Sequence, residues 1–69
     1  MSPVDSLLSI TERKVIALLA IGLCDKEIAA RMNLEVATIK VHNKRIFKKL
    51  GTKGRVNATL IYHGIKEIP

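Results

Sequence analysis

Residues 25–51 read DKEIAARMNLEVATIKVHNKRIFKKLG, and the spacing within this stretch decides the fold. Asp25 is a good helix N-cap, and Ile28, Ala29 and Met32 supply the inner face of a short helix. Asn33, four residues after the small Ala29, suits the left-handed conformation that ends such a helix. Leu34 is then expected to plug the core from the turn. The next helix is predicted over 36–50, with Gly51 as its stop. At about 100° per residue, Ile39, His42, Ile46 and Leu50 gather on one side of it, and Lys40, Val41, Lys44, Arg45 and Lys48 on the other. A short helix, a tight turn and a longer helix with one greasy and one cationic face form the layout of a helix-turn-helix. Spacing alone leaves an ordinary helical hairpin open.

Working outward, Thr11 is predicted to cap an earlier helix carrying Val15, Leu18 and Leu19, closed by Gly22. A last helix is predicted from Arg55 to His63, between Gly54 and Gly64. Val56, Ala58, Thr59, Leu60 and Ile61 make it more apolar around its girth than one core contact requires. Residues 1–10 read as an irregular lead, because Ser2, Pro3, Ser6 and Ser9 discourage a helix; Leu7, Leu8 and Ile10 are expected to pack on the domain. Residues 65–69 read as a frayed tail. The expected fold is thus all-α: a four-helix, bundle-like domain over 11–66 that contains a helix-turn-helix.

A chain of 69 residues holds one modest core and little room for a catalytic cleft. With Phe47 and Tyr62 as its aromatics, that core must be aliphatic. The net charge is +6, and it is lopsided: residues 1–35 sum to −1, whereas 36–66 hold eight bases and no acid. Such a field attracts polyanions, leaving both nucleic acid and anionic membrane open. Surface binding to membrane is the weaker reading, because the basic helix lacks the broad exposed apolar face that insertion needs. No apolar run approaches the ~20 residues of a membrane span, and no signal peptide opens the chain. The lone Cys24 excludes a disulfide framework, fits a reducing compartment and is expected to be a small buried filler. His42 and His63 lack partners at metal-ligand spacing, so neither metal nor cofactor is expected. No nucleophile–base set or glycine-rich phosphate loop is present, so the chain does not read as an enzyme.

The stretch ITERKVIALLAIGLCDKEIAARMNLEVATIKVHNKRIFKKLG resembles the LuxR/GerE-type DNA-binding domain, the output module of NarL/FixJ-type response regulators and quorum-sensing regulators. The matching elements are Thr11-Glu12-Arg13, Leu18-Leu19-Ala20, Gly22-Leu23, Lys26-Glu27-Ile28-Ala29, Thr38-Ile39-Lys40-Val41-His42 and Lys48-Lys49-Leu50-Gly51, with Arg55 and Ala58 beyond. The resemblance covers about residues 8–63. Lys14 stands where the family has Glu, which leaves a capping box with Thr11 half lost; Cys24 replaces Ser, and Glu35 replaces Ser or Thr.

The resemblance implies a transcription regulator that reads duplex DNA in the cytoplasm, at the bacterial nucleoid. It implies base contacts from Lys40, Val41 and Lys44, with Asn43 beside them, and a phosphate contact from Thr38. Lys suits guanine O6 and N7, Val a thymine methyl, and Asn an adenine edge. Lys48, Lys53 and Arg55 would hold flanking phosphates. The last helix, through Val56, Leu60 and Ile61, is the candidate dimer surface, as the family uses it. A competing reading is a protein-interaction module for an acidic partner such as RNA polymerase, favoured by that same apolar helix.

Overall fold

A computed structural model describes residues 3–69, with Pro3 described by its backbone only. Among these residues the fold is all-helical, with five helices: α1 (Pro3–Leu7), α2 (Ile10–Ala20), α3 (Asp25–Met32), α4 (Val36–Leu50) and α5 (Arg55–Tyr62).

The helix beyond the expected four is α1, in the lead, which coils instead of wandering. Its proline stands at the first position, where a missing N–H costs no hydrogen bond. Val4 and Leu8, one turn apart, are buried in the common core, and the Leu8 N–H donates to the Val4 carbonyl at 3.2 Å. Packing of that stripe outweighs the weak helix propensity of Ser6. Leu7 and Ile10, expected to pack, are exposed. Ser2 lies outside the described residues.

Helix α2 starts earlier than Thr11 would place it. Ser9 is the N-cap: its Oγ accepts from the Glu12 N–H at 3.2 Å, and Glu12 Oε1 accepts from the Ser9 N–H at 2.9 Å. This is a complete capping box, two residues upstream of the expected one, so Lys14 costs the helix no cap. Gly22, at φ +99°, turns the chain out of α2. Val15, Ile16 and Leu19 are buried in the core, and Leu18 only partly so.

Helix α3 also shifts by one residue. Cys24 is the N-cap and Asp25 the first helical residue. The Cys24 N–H donates to the Glu27 carboxylate at 3.0 Å, while Cys24 itself is exposed, not a buried filler. Asn33 closes the helix at φ 55°, ψ 46°, and the Leu34 N–H donates to the Ala29 carbonyl at 2.9 Å. Leu34 is exposed, so it does not plug the core; Ile28 and Ala29 fill that space from α3, with Met32 packed against them.

Helix α4 has the expected bounds, with Gly51 at φ 69° as its left-handed cap. Ile39, Ile46 and Leu50 are completely buried against α2 and α3. Helix α5 packs against α2, and its Ala58 and Ile61 are buried in the core. The tail beyond it is not frayed. The Ile65 and Lys66 N–H groups donate to the Leu60 carbonyl, Lys66 Nζ donates to Asn57, and Ile68 packs on the core.

Candidate nucleic-acid interface

The two helices of the helix-turn-helix are α3 and α4, joined by the tight turn at Asn33–Glu35. Because α4 presses Ile39, Ile46 and Leu50 inward, helical periodicity forces Lys40, Lys44, Arg45 and Lys48 outward, and all four are exposed. Val41 stands among them, 50% exposed. A half-exposed valine gives this cationic face an apolar point midway along α4.

The start of α4 offers unpaired backbone donors. The Ile39 N–H is the first to bond within the helix, to the Glu35 carbonyl at 3.1 Å, and Glu35 supplies no side-chain cap. Thr38, half-buried in this first turn, sits where the N–H groups and the positive end of the helix dipole suit an anion.

Asn43 departs from the expectation that it joins Lys40, Val41 and Lys44. Only 8% of it is exposed, and its Nδ2 donates to Asp25 Oδ1 at 2.8 Å. Asp25, Lys40, Asn43, Lys44 and Phe47 line a shallow depression at the seam between α3 and α4. The pair thus shares a surface depression with Lys40 and Lys44.

The flanking cations are divided. Lys48 and Lys53 are exposed on the surface. Arg55 is exposed as well, but one Nη donates to the Leu23 carbonyl at 2.6 Å, tying α5 to the loop before α3. Lys49 does not stand free: its ammonium meets Glu12 Oε1 at 2.6 Å. Burial works to raise the Glu12 carboxyl, but the hydrogen bond from Lys49 and those from the Ser9 backbone and hydroxyl outweigh it and hold the group below its ordinary value. The Glu27 carboxyl is also lowered, chiefly by the Cys24 N–H.

On α5, the three candidate pairing residues part company. Val56 is 70% exposed and Leu60 half-buried, both lining a shallow groove against α2, whereas Ile61 is 5% exposed and belongs to the core. His63 Nε2 lies 3.1 Å from the Ala20 carbonyl. Among the described residues, no His, Cys, Asp and Glu side chains group as a metal site would require.

Three of these features are absent from the sequence reading, for two different reasons. The Ser9–Glu12 box is written in the sequence as S-x-x-E before an apolar run and could have been found there. The Asp25–Asn43 and Glu12–Lys49 pairs join residues 18 and 37 apart, for which no local signal exists.

Residues 6–62 match the family described as bacterial regulatory proteins, luxR family. The nitrate/nitrite response regulator protein NarL of Escherichia coli strain K12 is 42% identical over 52 residues, which cover 75% of this chain and 24% of NarL. NarP of the same strain, also a nitrate/nitrite response regulator protein, is 40% identical over 55 residues, 77% of this chain and 26% of NarP. A probable transcriptional regulatory protein of Hyphomicrobium methylovorum, SgaR, is 36% identical over 63 residues, 91% of this chain and 29% of SgaR. The chain spans about a quarter of the length of these curated relatives. No solved structure matches it. With its helix-turn-helix, its one-sided cationic α4 and a family match running almost end to end, the chain belongs to the LuxR family of bacterial regulatory proteins, a family of DNA-binding transcription regulators.

Proposed function

We propose that this domain recognises specific duplex DNA, laying the outer face of α4 in the major groove, as the DNA-binding part of a response-regulator-type transcription regulator. The observation that carries the reading is the exposure of Lys40, Val41 and Lys44 on one face of a helix whose other face is locked into the core. The two lysines donate to guanine edges and Val41 meets a thymine methyl. Asn43 takes no base, since its amide is buried and bound to Asp25. Thr38 and the open N–H groups around it take a phosphate, and Lys48, Lys53 and the remaining donors of Arg55 take others, fixing register without reading sequence.

One module of this size makes too few contacts for tight specificity, so the domain acts on DNA as a dimer. Val56 and Leu60 on α5 form the pairing surface; Ile61 supports it from within. The work is done in the cytoplasm, at the nucleoid. No helix among the described residues is long and apolar enough to cross a membrane.

Selection from random duplexes tests the reading. An enriched motif in two half-sites is expected, with affinity falling steeply as salt rises because phosphate contacts release counterions. Binding that enriches no motif, or that ignores salt, rejects it; retained binding to an acidic protein in that case favours the interaction-module reading.

A further inference from the structure

Among the inward side chains of α4, Asn43 is out of place. Ile39, Ile46 and Leu50, four residues before it and three and seven after, are completely buried aliphatics, and an aliphatic at 43 would continue their stripe. Instead a polar amide is taken out of water there. Its Nδ2 is satisfied by Asp25 at 2.8 Å, and its Oδ1 is buried with no donor among the described residues. This arrangement does not maximise stability, because burying a polar group with half its partners missing is unfavourable. A hydrogen bond does supply direction, which aliphatic contacts lack. Close-packed aliphatic side chains already limit how far two helices roll, and two short polar side chains that must meet at one distance and one angle add a directional constraint.

The location makes direction matter. Asp25 is the first helical residue of α3, and Asn43 lies mid-way along α4. Both line the same depression as Lys40 and Lys44, so the bond sits beside two of the side chains proposed to face DNA. A small roll of α4 about its axis would swing those lysines and Val41 along the groove.

We propose that Asp25 and Asn43 are a positioning pair: their hydrogen bond sets the roll of α4 on α3 and thereby decides which base edges Lys40, Val41 and Lys44 address. The inference rests on the DNA-binding reading above. It assigns sequence discrimination, not overall affinity, to two residues that touch no base.

The test compares Asn43→Val, Asp25→Ala and Asp25→Asn with the unaltered 69-residue chain. Each is titrated against the duplex selected by the unaltered chain and against a scrambled duplex. The first two variants should lose on the order of tenfold in the ratio of the two affinities, with the salt slope unchanged because the phosphate-binding cations remain. Asp25→Asn keeps an acceptor for the Asn43 amide and should retain the ratio. Asp25 is half-exposed, so Asp25→Ala keeps the core intact should Asn43→Val fail to fold. A ratio within twofold of the unaltered chain in Asp25→Ala overturns the proposal. Residual dipolar couplings on the free domain provide a readout without DNA: the roll of α4 relative to α3 should change in Asp25→Ala and be restored in Asp25→Asn. If the unaltered chain prefers no duplex, the DNA reading fails first, and an unchanged roll in Asp25→Ala then sinks the positioning claim separately.

Discussion

The ammonium of Lys49, near the end of α4, lies 2.6 Å from the carboxylate of Glu12, which also completes the capping box of α2. One carboxylate thus closes the start of α2 and pins the far end of α4. Lys49 is partly exposed, so solvent screens its share, while the hydrogen bonds to Ser9 hold the same carboxylate locally.

Glu12→Ala should therefore destabilise the domain by about 1–2 kcal/mol, the cost of a lost cap and a charge-assisted bond. The pH dependence has a definite sign. The folded-state pKa of Glu12 is lowered, so its contribution is present above the ordinary value of 4.5 and is lost as pH falls through the folded-state value. Glu12→Gln should show a flatter stability profile across that acidic window. Urea melts between pH 7 and pH 3 measure it, and parallel profiles for the two proteins would contradict the assignment.

The turn at Asn33 carries the only non-glycine positive φ among the described residues. Asn33→Gly should be close to neutral, whereas Asn33→Ala should cost about 1 kcal/mol, because a Cβ without a polar group to bond locally is disfavoured in that conformation. Thermal denaturation of the two variants side by side gives the comparison. Equal stability would mean that the turn relaxes to another conformation.

Substitutions on α5 separate pairing from folding. Val56→Asp touches an exposed residue and should leave the free domain as stable as before, within about 0.5 kcal/mol, while abolishing cooperative binding to a two-half-site duplex. Ile61→Asp buries an unpaired charge in a small core and should unfold the domain. Circular dichroism and gel-shift titrations on one and two half-sites distinguish the two. Unaltered cooperativity in Val56→Asp would remove α5 from the dimer.

On α4 and the loop beyond it, two lysines should fail differently. Lys40→Ala should cost about 1–3 kcal/mol on the selected duplex and far less on a scrambled one. Lys53→Ala should weaken both alike and reduce the salt slope by about 1. Matching losses on both duplexes for Lys40→Ala would make it a phosphate contact.

What the sequence determined by itself was whatever depends on helical period and local backbone chemistry. The bounds of α4, the left-handed Asn33 and Gly51, the buried Ile39, Ile46 and Leu50, and the outward Lys40 and Lys44 all follow from spacing along one helix. The cap of α2 was within reach too, but Ser9 and Thr11 are both good capping residues, and the reciprocal Glu12 had to be noticed to choose between them. Tertiary structure alone decided the rest. Whether Leu34 or Met32 reaches the core, whether Ile61 lies on the surface or in the core, and how residues 3–8 and 65–69 fold onto the domain depend on the angles at which helices meet. The same holds for Asp25 with Asn43 and Glu12 with Lys49. A buried polar side chain is stabilised where a partner from another element arrives within hydrogen-bonding distance, and such meetings are properties of packing, not of local sequence.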